Sequence, residues 1–513
     1  MKKILTIGAL CLLSLSCTQT KKPADPKIYG DTITETELKE LLYKYASDEF
    51  EGRETGEPGQ KMAVNYLKDQ YVEMGIPSAY GTDNYFQEIP LERQLLADVD
   101  LKINGKKALL YDEYIPPRNV NVSDLSISEI VYLGYGIDTD TYSDYKTMDV
   151  KGKYVIMKAG EPMNPDSTYV TSGTKGKTQW TSGRRARNLK IETAEKHGAK
   201  AVFFLDDATV NYYSKYYKNI DPNTYEGRIA AVSNDNDSYS FIINNSLANQ
   251  IVPDIDSNHT PRTVETDLQL SMKKNIKPFT TENVVAYIEG EEKPDEVLVI
   301  SAHLDHLGIE DGVVSNGADD DGSGTVAMLE IAEAFQKAVN EGYRPKRSIL
   351  FLHLTGEEKG LLGSKHYTDI SPVFPLENTI SNLNIDMIGR VDKLHEDDRN
   401  YVYVIGSDML STELHDINEK ANATYTNINL DYRYSNETDP NRYYYRSDHY
   451  NFAKNNIPVI FYFNGTHEDY HKPTDTPDKI QYDLLEKRTR LVFYTAWELV
   501  NRENRVIVDK ATK

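Results

Sequence analysis

Apolar residues along this chain follow two rhythms. From residue 283 onward, short continuous apolar runs alternate with segments where apolar residues recur every three or four positions. The first pattern suits strands buried on both faces and the second suits helices with one buried face. The pattern predicts strands at 283–288, 297–302, 348–354, 380–385, 401–405 and 458–463. Helices are expected at 323–338, 363–369, 411–423, 448–455 and 482–504. Upstream, 36–45 and 58–74 have helical spacing, the second with Ala63, Tyr66, Leu67 and Met74 on one face, Pro58 in its first turn and Gly75 at its end. Between 91 and 277 the character shifts to short strands and loops. Strands are expected at 129–136 and 153–159, and 191–205 reads as helix then strand, broken at Gly198.

This order predicts an α/β fold with a mixed, largely parallel central sheet covered by helices on both faces, and a β-rich domain inserted into it. Residues 31–90 and 278–513 would form the first domain and 91–277 the insertion. Residues 17–30 are a polar linker. Lys2 and Lys3 precede an apolar run, 4–15, too short to span a bilayer, so 1–16 reads as an export signal. Ser14-Leu15-Ser16-Cys17 resembles a bacterial lipidation box, with serine where leucine is usual. The expected location is the periplasm or outer membrane as a lipoprotein, otherwise secreted, with a lipid on Cys17 as the sole membrane attachment.

Composition narrows the chemistry. The chain has 513 residues, long enough for two or three domains, and a formal charge of −22, which argues against a nucleic-acid partner. Its only cysteines are Cys11 and Cys17, so the mature protein would have no disulfide and no thiolate ligand. A metal would have to be held by nitrogen and oxygen.

Those donors fall in a pattern. His303 closes an apolar run, Asp319-Asp320-Asp321 precede Gly322-Ser323-Gly324, and Glu357-Glu358, Asp386 and His471 each follow a strand. In a parallel sheet, groups after strands gather at the carboxyl edge, where ligands bind. A lone histidine at a strand end is usually structural and an acidic turn usually a solvated cap. Convergence of three carboxylates and two imidazoles on one edge argues otherwise. They suffice for two divalent ions if one carboxylate bridges, and ions about 3.5–4 Å apart can clamp a hydroxide and polarise a carbonyl together. In Glu357-Glu358 one carboxylate could bind metal while the other takes a proton. Zinc suits such donors, with cobalt and manganese compatible.

In this order, HLDH, NGADDDGSG, TGEEKGLLGS, NIDMIGR, RSDHYNF and YHKPTDT resemble the co-catalytic zinc aminopeptidases of peptidase family M28. The early ASDEFEGRETGEPGQ is similar to that family's N-terminal segment. The resemblance implies a zinc-exopeptidase-like fold and two zinc ions, one held by His303 and Asp386, the other by Glu358 and His471, bridged by Asp320. It implies Glu357 as general base for a metal-bridging hydroxide, Asp305 as the carboxylate orienting His303, and Tyr470 as an aid to the oxyanion. Asp319 and Asp321 would be loop and cap residues, and His449 would line the site. His306, His353 and His467 match no role. Tyr432, Tyr434 and Tyr443 to Tyr445 could wall a pocket or simply pack. Residues 131–137, 150–159 and 194–205 resemble a protease-associated (PA) domain. The implied activity is removal of N-terminal residues from a peptide substrate. A metallocarboxypeptidase, a single-zinc glutaminyl cyclase and a non-catalytic receptor-like relative are the alternatives. No feature sets the oligomeric state or the side-chain specificity.

Overall fold

The computed structural model of the protein describes residues 24–81, 83–222, 224–232 and 238–510. The export signal expected at 1–16 and the lipidated Cys17 lie outside the described residues. The chain divides into two compact units, one running to Gln87 and resuming at Glu282, the other Glu88–Thr281.

In the first unit, strands lie in the order Asn429–Asp431, Tyr401–Ile405, Val459–Phe463, Thr379–Ile385, Lys293–His303, Arg347–Leu354 and the part of Ile276–Ile288 from Glu282 onward. The middle strands, from Val459–Phe463 to Arg347–Leu354, are mutually parallel. Tyr401–Ile405 and Ile276–Ile288 flank them antiparallel. Arg347–Leu354, Thr379–Ile385 and Val459–Phe463 are buried at every position. Helices on both faces exclude water from such strands, which is why they are apolar in continuous runs.

The helices start and stop where their residues dictate. Thr34 caps Glu35–Tyr45, accepting from the Glu37 N–H while its hydroxyl donates to the Glu37 carboxylate. That helix buries Leu38, Leu42 and Tyr45, one stripe at helical spacing. Pro58–Met74 begins at its proline and ends where Gly75 takes φ +74°, a conformation a Cβ would disfavour. Its buried stripe is Ala63, Val64, Leu67 and Tyr71. Tyr66 and Met74, expected on that face, lie at its flank. The Tyr71 hydroxyl reaches His353 Nε2 at 2.9 Å in the core. Burial brings the His353 pKa down to about 3, so the ring stays neutral in the core. Gly324–Asn340 is buried through most of its length, and Tyr482–Asn501 packs against it, with Phe335 and Phe493 rings 4.9 Å apart. The helix expected at 411–423 is Thr412–Ala421, continued by a wider turn over Asn422–Thr426.

The second unit has its own sheet, ordered Lys106–Lys107, Asp98–Ile103, Arg262–Lys273, Val122–Tyr132, Tyr154–Lys158, Ala201–Leu205, Tyr239–Ile243 and Tyr114–Ile115. Arg262–Lys273 pairs antiparallel with both its neighbours, whereas Val122–Tyr132 through Tyr239–Ile243 run parallel. Parallel neighbours need crossovers, so this unit also carries helices, Gly183–Lys196 and Asp207–Tyr217 among them. Ile103, Ile127, Ile156, Phe203, Phe241 and Leu268 form its core.

Glu330, 3% exposed, lies on Gly324–Asn340 beside a hollow of about 410 Å³ lined also by Glu37, Glu40, Glu73 and Glu333. Burial, then repulsion from Glu37 and Glu333, pushes its carboxyl from 4.5 up to about 8. The folded state therefore keeps a proton that the unfolded chain releases, and stability falls as pH rises from about 4.5 through 8. Glu330→Gln should have a higher Tm than wild type at pH 8 and no advantage near pH 4. Melting curves across that range test this, and equal Tm values at pH 8 would refute it.

Candidate metal centre

The expected residues arrive on separate loops at the carboxyl ends of the parallel strands. His303 is the last residue of Lys293–His303, Glu357 and Glu358 follow Arg347–Leu354, and Asp386 follows Thr379–Ile385. Asp320 lies in the turn before Gly324–Asn340, and His471 in a loop after Val459–Phe463. His303 Nε2 is 3.2 Å from Asp320 Oδ1 and 3.6 Å from Asp386 Oδ1. His471 Nε2 is 3.1 Å from Asp320 Oδ2 and 3.2 Å from Glu358 Oε2. Asp320 thus presents one oxygen to each side.

His303 and Asp386 are oriented from behind. His303 Nδ1 donates to the backbone carbonyl of Asp305 at 3.0 Å, leaving the Nε2 lone pair to face the carboxylates. The Asp305 carboxylate, expected to orient His303, instead accepts from the Thr55 hydroxyl (2.7 Å) and the Glu357 N–H (3.1 Å), so it positions the Glu357 loop. The reason is local: the chain turns after the strand end, and the Asp305 carbonyl, not its side chain, meets the ring. Behind Asp386 runs a directional relay. Asn382 Nδ2 donates to Ser301 Oγ, Ser301 to Asn384 Oδ1, Asn384 Nδ2 to Ser447 Oγ, and Ser447 to Asp386 Oδ2 at 2.6 Å.

Asp319 and Asp321 are indeed loop-fixing groups. Asp321 Oδ1 accepts from the N–H groups of Gly324 and Met387, and Asp319 Oδ1 from that of Gly389. His467 meets Asp319 Oδ2 at 3.2 Å, and Asp475 Oδ2 accepts from the Asp319 and Asp320 N–H groups. Arg53, wholly buried, donates to the carbonyls of Leu304, Tyr45, Asn316 and Gly317, tying the early segment to both the His303 and Asp320 loops. His449 is buried and stacked on Phe461 at 4.7 Å, with burial bringing its pKa down to about 3. Of the tyrosine segment, Tyr443 lines the cleft with Arg446, Phe461, Phe463, Thr466 and Tyr470, while Tyr432 bonds Glu419. Unforeseen in the sequence is His306, whose Nδ1 comes within 3.0 Å of Glu358 Oε1.

So many buried carboxylates need cations. Burial opposes charge on His303, but Asp386 and Asp320 outweigh it and hold its pKa well above the usual value. Burial likewise opposes charge on His471, and Asp320 and Glu358 raise its pKa to about 10. Burial, with Glu358, Asp386 and Asp448 alongside, pushes the Glu357 carboxyl up. Divalent ions would supply the same positive charge while leaving the imidazoles neutral and ligating. The donors fit them: Asp320 Oδ2 and Glu358 Oε1 are buried with no hydrogen-bond partner. His303–Asp320–Asp386 and His306–Asp320–Glu358 each bring three ligand atoms within 4.8 Å of one another.

Residues 283–496 match the sequence model of Peptidase family M28. The chain is 27% identical over 241 residues to Aminopeptidase YwaD of Bacillus subtilis, covering 45% of this chain and 48% of that protein. It is 33% identical over 105 residues to Probable glutamate carboxypeptidase LAMP1 of Arabidopsis thaliana, covering 20% and 14%. The chain therefore spans less than two thirds of the length of these curated relatives. An aminopeptidase structure from Aneurinibacillus sp. strain AM-1 superposes with a TM-score of 0.51 at 19% identity, covering 95% of this chain and 99% of that one, and so shares the fold.

Because Asp320 faces both groups, Asp320→Ala should lose more bound divalent metal than Asp386→Ala, which leaves the Asp320–Glu358–His471 side intact. Elemental analysis finding wild-type metal content in Asp320→Ala would overturn the arrangement.

Proposed function

Residues 283–496 belong to peptidase family M28, and from that premise we propose that the protein is a zinc-dependent exopeptidase removing N-terminal residues from peptides. One observation carries the reading: a single buried carboxylate, Asp320, stands between two histidine–carboxylate groups. In this reading His303, Asp386 and Asp320 hold one zinc ion, and Asp320, Glu358 and His471 the other. Bound there, zinc would supply Lewis-acid charge and lower the pKa of water.

The chain's own groups account for the rest. Glu357 lines the cleft, and its raised pKa suits a carboxylate that takes up a proton readily. It accepts the proton of the attacking water and returns it to the amine nitrogen as the C–N bond breaks, so that peptide and water become an amino acid and a shortened peptide. Asp305, through the Glu357 N–H, keeps that base in place. Tyr470 also lines the cleft, its ring stacked on His471 at 3.9 Å. Burial, then Asp320 and Glu358, push its phenol pKa up, keeping it a hydrogen-bond donor for a carbonyl oxygen that gains charge.

The aminopeptidase name of the Bacillus relative supports the N-terminal reading. A second reading, removal of C-terminal residues, is favoured by Arg446, an exposed cation at the cleft that could receive a terminal carboxylate. For the region 91–277, the parallel strands Val122–Tyr132, Tyr154–Lys158 and Ala201–Leu205 overlap the PA-like stretches and support a PA-like assignment. Export, with a lipid on Cys17, is supported by Lys2, Lys3 and the apolar run that follows. Among the described residues, no helix is long and apolar enough to cross a membrane.

Glu357→Gln keeps side-chain volume but cannot take a proton. The variant should bind both zinc ions and fold normally, yet lose at least about a hundredfold in kcat with a smaller change in KM. Steady-state kinetics and zinc content on one preparation test this. If kcat stays within a few-fold of wild type at full occupancy, the base lies elsewhere. Paired aminoacyl and carboxyl-terminal peptide substrates separate the two exopeptidase readings.

A further inference from the structure

The Asp320–Glu358 side of the centre contains a histidine beyond those the family resemblance assigns. We propose that His306 is an additional, interior ligand of the second cation, alongside Asp320, Glu358 and His471. The inference rests on the reading of a divalent-metal site and concerns which residues of this chain hold the ion.

Three buried atoms meet there. His306 Nδ1 lies 3.0 Å from Glu358 Oε1 and 3.9 Å from Asp320 Oδ2. None of the three has a hydrogen-bond partner; the 3.0 Å approach lacks hydrogen-bond geometry. A buried nitrogen and two buried carboxylate oxygens left unpaired this close together call for a shared cation, since each otherwise loses its hydration without compensation. All three lie within 4.8 Å of one another.

Backbone, not the ion, fixes the ring. A Cβ on Gly317 would lie 2.5 Å from His306 Cγ and Cδ2, so the loop bearing Asp320 packs directly against the imidazole. The His306 N–H donates to the Arg53 carbonyl at 3.3 Å, holding the residue from the other side. His471, by contrast, has a 37% exposed side chain and approaches the same carboxylates from the solvent side. The site then has one ligand anchored in the core and one at the cleft. Loss of His471 alone should weaken the second ion without abolishing it.

The test uses the full protein loaded with zinc. Chelator competition should show at least about tenfold weaker binding of the second ion in His306→Gln, and its loss in His306→Gln/His471→Gln, with the first ion retained. A crystal structure of zinc-loaded wild type, whose folding is not in question, should place a His306 nitrogen about 2.0–2.1 Å from the ion. A His306 nitrogen beyond about 3 Å would overturn the proposal, whatever the affinities, and leave His306 as a group positioning Glu358. A wild-type protein that takes up no zinc would overturn both this inference and the peptidase reading.

Discussion

Asp320 is the group on which the rest of the centre depends. It is 3% exposed, and its two oxygens face different histidines: Oδ1 faces His303, and Oδ2 faces His471 with His306 close behind. A carboxylate so placed loses most of its hydration, and only cations on both sides restore what burial removes. Burial would raise its pKa, yet His303 and His471 hold it well below the usual range, so it stays ionised in the interior. Hydrogen bonds to Asp319, Asp321 and Asp475 fix the loop that carries it.

That arrangement explains residues outside the two histidine–carboxylate groups. Asp319, Asp321 and Asp475 accept backbone N–H groups that would otherwise be stranded in tight loops. Arg53 answers four carbonyls at once, which is why the early segment ASDEFEGRE belongs to the same centre as His303 despite the long stretch of chain between them. The Ser301–Asn384–Ser447 relay puts the polar side chains of Ser301 and Asn384 inside buried strands, where each would be costly alone, and ends through Ser447 on Asp386.

Much of this was determined by the sequence alone. Strands buried on both faces favour continuous apolar runs, so the runs at 401–405 and 458–463 located two strands nearly to the residue, and Pro58 and Gly75 bounded one helix at both ends. The donor types, their position after strands, and the absence of thiolates beyond Cys17 restricted a metal to nitrogen and oxygen ligands.

Tertiary structure decided the rest. Helical spacing permits either Tyr66 or Tyr71 on the buried stripe; packing buries Tyr71 against Phe351 and His353 and leaves Tyr66 at the flank. His306 lies three residues beyond His303 in a stretch with no fixed period, so its approach to Glu358 had no sequence signal. The Asp305 carboxylate turned to Thr55 and Glu357, not to His303, because a turn's direction depends on what packs against it. Periodicity sets which face a residue shares within one element, whereas a ligand set depends on distances between loops, and packing alone sets those.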